Sequence, residues 1–275
     1  MKIGLPAAAA LLALVAAAAL VAAVLGARAE GLSEEGTADS FAFQGCDELI
    51  VEKGAVFSVV VIGGPGSAIE AEVVRPRGSG LEVKRERSGR SLCLWVERRP
   101  FAWSPGEHRL SLRVPRDCRL MVETGTGSID VEGLRGDQRL RTDTGRISVR
   151  ECRGEIRAET DTGGQVFSRV EGDLKADSDT GGIVLSEFRG RLDLRSDTGS
   201  LEGRSVVLTA DCQLVTDTGS IDFELERSLE GLAFELASDT GLLWVGSAKG
   251  RKRLALGGGP LKVLARSDTG SISFR

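Results

Sequence analysis

The sequence predicts an all-β protein, a single-stranded parallel β-solenoid (β-helix), and three observations carry that prediction. First, Asp-Thr-Gly recurs seven times, at Asp143, Asp161, Asp179, Asp197, Asp217, Asp239 and Asp268, behind a degenerate copy, Gly125-Thr126-Gly127. Second, the repeat glycines stand at 127, 145, 163, 181, 199, 219, 241 and 270, so four steps of 18 residues precede steps of 20, 22 and 29. A fixed period near 20 residues marks a chain built of stacked supersecondary units. Third, apolar residues alternate on both sides of each glycine, the pattern of a strand with one buried face.

The chain begins MKIGLPAAAALLALVAAAALVAAVLGARAE, a basic tip at Lys2 and an apolar stretch from Leu5 to Leu25 that ends in Ala27-Arg28-Ala29. Residues 1–29 read as either a cleaved export signal or a retained N-terminal membrane anchor. Either way the remainder is exported, to the periplasm, cell envelope or cell surface. Residues 30–40 are polar and read as a linker. Residues 41–116 are strand-like throughout (ELIVEKG, AVFSVVVIG, AIEAEVV, SLCLWVE, EHRLSLRVP), with turns at Gly63-Gly64-Pro65-Gly66 and Ser88-Gly89. They read as an irregular opening of the solenoid or a cap that shields its end. The loop Arg98-Arg99-Pro100-Phe101-Ala102-Trp103 is expected to fold its two rings under that cap.

Residues 117–275 carry about eight rungs of 18–22 residues. Seven and five places before the glycine the residues are apolar, as in Leu192/Leu194 and Phe234/Leu236; two and four after it they are apolar again, as in Ile147/Val149 and Ile272/Phe274. A further apolar contact follows at Leu134, Cys152, Val170 and Phe188. Gln138, Gln165 and Gly203 break the pattern. The inward set changes parity across the glycine, which requires a corner there. Three before the glycine a hydroxyl stands every time, from Thr124 to Ser267, and one before it always Thr, from Thr126 to Thr269. Odd-numbered places before the glycine, including that Thr, are expected to face inward.

The aspartates lie two before the glycine and are expected to cap their own turns by accepting backbone amides. A column of like charges costs about 1 kcal/mol per neighbour in water, and the column four before the glycine (Glu123, Arg141, Glu159, Asp177, Arg195) offers opposite charges nearby. One carboxylate per rung is too few for calcium, which takes about six to eight oxygens. An aspartic protease needs two carboxylates converging on one proton, not seven along a stack. No residue is therefore assigned as catalytic, cofactor-binding or metal-ligating, and no cofactor is expected.

Without Lys2 and Arg28 the chain has 34 basic and 40 acidic residues, which excludes a basic nucleic-acid surface. With no Tyr and 4% aromatics it lacks the girdles of a membrane barrel. Of five cysteines, Cys118, Cys152 and Cys212 fall on apolar columns, while a Cys46–Cys93 disulfide is left open. His108, the single histidine, suits neither a triad nor zinc. At the other end the final strand, 271–275, has no successor. Its edge is expected either to be capped by the 247–260 insertion, with Lys249, Arg251, Lys252 and Arg253, or to drive self-association.

The opening SFAFQGCDELIVEKG, the step Arg113-Val114-Pro115 and the units ETGTGSIDV and TDTGRISV resemble a bacterial family of adhesin-type domains of unknown function, the GIN-type autotransporter adhesin head. The resemblance covers roughly 40–275. It implies an envelope β-solenoid without catalytic residues to carry over, and some of its members are membrane-anchored. The reading is a non-enzymatic exported envelope protein, an adhesin-like module whose solenoid surface binds a glycan or an envelope protein. The alternatives are a scaffold polymerising end to end and a carbohydrate-active β-helix enzyme, which needs paired carboxylates in a groove.

Overall fold

The 18-residue step of the sequence becomes the register of a parallel sheet. The computed structural model describes residues 36–52, 57–76, 80–98, 108–226 and 228–275, and among them the chain is all-β, with one 3-10 turn at Leu229–Gly231. Thr37–Arg275 is a single compact unit. The expected signal or anchor of 1–29, the expected linker up to residue 35 and the residues 99–107 lie outside the described residues.

The N-terminal strands are β1 (Gly36–Gln44), β2 (Glu48–Val51), β3 (Ser58–Gly64), β4 (Ala68–Pro76), β5 (Leu81–Ser88), β6 (Ser91–Arg98) and β7 (Arg109–Pro115). β2 with β3 makes one layer of the stack, and β6 with β7 another: Glu48 pairs with Ser91, and Val61 with Leu112, in parallel. The antiparallel strands β5 and β4 then close the far side, with Val83 opposite Val96 and Val73 opposite Leu110. The 41–116 segment therefore supplies both regular layers and closing strands.

The repeats follow as β8 (Arg119–Thr124), β9 (Ile129–Glu132), β10 (Gln138–Thr144), β11 (Ile147–Arg150), β12 (Ile156–Thr162), β13 (Gln165–Thr180), β14 (Ile183–Thr198), β15 (Leu201–Leu208), β16 (Cys212–Thr218) and β17 (Ile221–Leu225). Leu140, Ala158, Ala176, Leu194 and Leu214 form one column of parallel partners, each buried. Fully burying each leucine of that column contributes about 1.5–3 kcal/mol. Each regular layer bends at three places. At the first, Gly163 has φ 146°, and a Cβ there would lie 1.9 Å from the Gly145 carbonyl oxygen of the layer below. The second bend falls on a non-glycine residue in the left-handed region, Glu151, Arg169, Glu187 and Ser205, with φ between 52° and 55°. The third returns at Gly154, Gly172 and Gly190.

The end of the chain departs from a simple succession. β18 (Leu232–Val245) is followed by β19 (Ala248–Leu256), β20 (Leu261–Thr269) and β21 (Ile272–Phe274). β20 pairs with β16 on one side and β18 on the other, and β21 likewise lies between β17 and β18. The last layer in sequence is thus second from the end of the stack, and the layer before it is outermost. β19 runs antiparallel along β18 and closes that end. The N-terminal side mirrors this: β2 lies between β6 and β8, so the first layer is also second from its end. The expectation of an open edge beyond 271–275 is corrected: that strand has a partner on each side, and the 247–260 insertion caps the 232–245 layer instead.

Three sequence expectations gain a physical reason. Gly203 breaks the apolar column because a Cβ there would come within 2.4 Å of the Phe223 ring. Gln165 is tolerated inside because its amide donates to the Thr160 hydroxyl (3.0 Å) and the Asp177 carbonyl (2.6 Å). The Thr before each glycine does not face inward: Thr144, Thr162, Thr180, Thr198, Thr218 and Thr269 are aligned but exposed, because the corner begins at that residue.

Candidate functional site

Each Asp-Thr-Gly corner divides into a buried hydroxyl, an aspartate that is exposed or half-buried, and an exposed Thr. The hydroxyls three before the glycine are buried, and several bond glycine carbonyls of the adjoining layer: Thr142 to Gly127 (3.0 Å), Ser196 to Gly181 (3.0 Å), Thr216 to Gly199 (2.9 Å) and Ser267 to Gly219 (2.9 Å), whereas Thr160 donates to the Gly163 carbonyl of its own layer (3.1 Å). These carbonyls lie where the chain turns, so a side-chain donor replaces the ladder partner. The aspartates face out, one per layer. Arg141 reaches Asp161 at 3.4 Å and Arg266 reaches Asp268 at 3.2 Å. Among the described residues no backbone amide donates to Asp161, Asp179, Asp197, Asp217, Asp239 or Asp268, so the capping expectation is corrected: the hydroxyl column satisfies the corners.

Nowhere among the described residues do three or more His, Cys, Asp or Glu gather as metal ligands. His108 is buried and stacks on Phe57, ring centroids 5.3 Å apart. No helix among the described residues is long and apolar enough to cross a membrane.

All five cysteines are thiols. A Cys46–Cys93 bridge is excluded because the two lie on opposite faces of the sheet. Cys93 sits between the fully buried Leu92 and Leu94 and so points outward, whereas Cys46 points into the core. Burial, helped by Glu52, pushes the Cys93 thiol up to about 11. Burial also pushes Cys118 up to about 12 and raises Cys152 and Cys212.

The surface feature that sequence reasoning missed lies on the outer face of β16, β20, β18 and β19. There the register aligns Val215, Arg266, Ala237 and Arg253 in one row, and Gln213, Leu264, Glu235 and Ala255 in the next. Alanines between longer side chains leave a groove of about 530 Å³, with Leu264 40% exposed on its wall. Farther back on the same face the hollows are walled by charges that compensate one another, as in Arg157–Glu155 (2.6 Å) and the Arg141–Glu159 pair. The signal was present in the column four before the glycine, which runs Glu, Arg, Glu, Asp, Arg and then Val215, Ala237 and Arg266, two of the last three small or apolar. Beside the groove β19 exposes Lys249, Arg251, Lys252 and Arg253, none in an ion pair among the described residues.

No protein-family model matches the chain, and no curated protein does. Solved structures are similar to it. A "putative adhesin" from Parabacteroides distasonis ATCC 8503 is 14% identical with a TM-score of 0.40, covering 87% of this chain and 97% of that one. A "putative adhesin" from Bacteroides fragilis NCTC 9343 is 11% identical with a TM-score of 0.39, covering 89% and 100%. A "putative lipid binding protein" from Parabacteroides distasonis ATCC 8503 is 10% identical with a TM-score of 0.40, covering 88% and 97%.

Proposed function

We propose that the chain is an exported, non-enzymatic cell-envelope protein, an adhesin-like binding module built as a single-stranded parallel β-solenoid of Asp-Thr-Gly rungs. In this reading 1–29 directs export or anchors the chain, 30–40 links, though its last residues, 36–40, already run in β1, 41–116 opens and caps the solenoid, and 117–275 carries the repeats. The constant 18-residue register through β10, β12, β13 and β14 supports the solenoid.

One observation carries the binding assignment. From the 212–225 layer on, the outer face offers a groove that mixes Val215, Ala237, Ala255 and Leu264 with Glu235 and the Asp268-paired Arg266, beside four cations of β19 that lack carboxylate partners among the described residues. A groove of that size with a few charged groups at its rim suits a ligand segment rather than a flat contact, and the cations select an anionic partner, an acidic envelope glycan above all.

The test is a binding screen of acidic and neutral oligosaccharides and purified envelope proteins, with the wild-type chain and the double variant Leu264→Glu/Arg253→Glu. Selective capture of acidic probes, lost in the variant, is the expected result. Equal capture by both proteins rules out this face, and turnover of any oligosaccharide rules out the non-enzymatic assignment.

A further inference from the structure

Two buried thiols meet where the tucked-in first layer joins the repeats. β2 and β8 are parallel with Glu48 opposite Arg119, and the Arg119 amide donates to the Asp47 carbonyl at 2.8 Å. One step back along that register, Asp47 stands opposite Cys118. The inward places continue from Leu49 and Leu120, and Cys118 fills its own at 0% exposure. Asp47 does not fill the other, because its carboxylate turns out to Arg90 at 2.8 Å. Gly45, at φ 72°, breaks the strand alternation just before it, and Cys46 takes the inward place at 3% exposure. The two thiols therefore share one corner of the core, each just ahead of one of two neighbouring strands. The Cys118 thiol also sits against the Leu49 backbone amide, and the charge of Cys46 is among the influences acting on it.

We infer that Cys46 and Cys118 are a disulfide-forming pair that ties β2 to β8 when the chain folds in an oxidising compartment. In the reaction one thiol loses its proton and attacks the S–S bond of a small disulfide oxidant. The second thiol then displaces the oxidant's remaining half. One protein S–S bond forms, two thiol protons are released to the oxidant's thiolates, and the oxidant takes up two electrons as two thiols. Burial keeps the thiol protonated once the layers have closed, so the bond forms during folding and not in the finished protein. Cys152 and Cys212 stand on separate core columns and Cys93 on the outer face, which leaves three thiols unpaired.

The experiment unfolds and reduces the full chain, then refolds one portion with a mixture of reduced and oxidised glutathione and another with reductant alone. Each is alkylated in denaturant and mapped by non-reducing peptide mass spectrometry. The expected result is a 46–118 cross-linked peptide, alkylation of Cys93, Cys152 and Cys212, and a melting temperature raised by roughly 5–15 °C over the reduced portion. Cys46→Ser should abolish both cross-link and shift while its circular dichroism matches that of the reduced wild type. If that variant fails to fold, the wild-type map decides alone. Five alkylated cysteines in the folded oxidised portion, or a bridge from Cys46 to any other cysteine, overturns the assignment.

Discussion

Ser238 donates its hydroxyl to the carbonyl oxygen of Gly270, 32 residues later in the chain, at 2.8 Å. Thr216 and Ser196 make the same bond to a glycine earlier in the chain. In all three the bond points to the neighbouring layer, and at this end the neighbour is the last layer in sequence.

Removal of residues 261–275 should accordingly do more than shorten the stack. It withdraws the layer that both β16 and β18 pair with. The expected outcome is loss of protection for residues 232–256 in limited proteolysis and a stability loss above about 4 kcal/mol, or failure to fold. An unchanged melting temperature would contradict the inserted-layer topology.

Glycine at the corners should prove sharply position-dependent. Gly163→Ala combines a strained φ with a Cβ 1.9 Å from a carbonyl oxygen, and is expected to cost about 3 kcal/mol or more. At Gly258 an added Cβ meets nothing within 4 Å, so Gly258→Ala should stay within about 0.5 kcal/mol of wild type in urea unfolding.

The two hydroxyl columns should separate in the same measurement. Ser196→Ala removes the donor to a half-buried carbonyl and should cost about 1–2 kcal/mol. Thr198→Ala and Asp197→Ala, both exposed, should each lie within about 0.5 kcal/mol of wild type. A large loss at Asp197 would restore the carboxylate as the corner's cap.

How far the sequence speaks is visible in these residues. The period announced register, and the apolar columns at Leu192/Leu194 and Ile221/Phe223 announced the core. The order of layers at the two ends was not legible, because every rung has the same inward pattern and could stack on any other. Only the 29-residue last step hinted at the strand inserted between β18 and β20. The outward turn of Thr198 was missed because parity was carried one residue too far into the corner. The groove was missed because attention rested on the repeated residues, whereas its alanines and Leu264 are departures from the repeat.

A pH dependence is expected at Asp130. Burial raises its carboxyl above the ordinary 3.8, against the lowering influence of Arg150, Arg146, Arg109 and a Ser148 hydrogen bond. A carboxyl raised in the folded state contributes stability below its unfolded value and loses that contribution as pH rises through the folded one. Asp130→Asn should therefore gain most over wild type at neutral pH, and the gain should disappear below about pH 3.8. Denaturant unfolding at pH 3 and pH 7 tests the sign.

The cationic cap should keep the molecule from pairing with itself. β19 has one strand partner among the described residues, and charged side chains on such an edge oppose added strands. Deleting 249–259 would leave too short a link between β18 and β20 to place the last layer, so substitution is the cleaner test. Lys249→Thr/Arg251→Thr/Arg253→Thr, sparing Lys252 at φ 66°, should form oligomers at micromolar concentration in light scattering. A triple variant that stays folded and monomeric would show that charge is not what guards the edge.

Clamping the first and last layers between neighbours also decides how the protein bears load. A pull on Arg275 meets hydrogen bonds to both flanking layers: Arg275 donates to Phe223 at 3.0 Å, its carbonyl accepts from Leu225 at 2.7 Å, and the Phe274 carbonyl accepts from Gly246 at 2.9 Å. Each residue drawn out must release two neighbours rather than one, so the strand slides under shear instead of peeling. A load applied at Arg275 therefore meets the body one layer in, where resistance to force is greater than at its outermost strands.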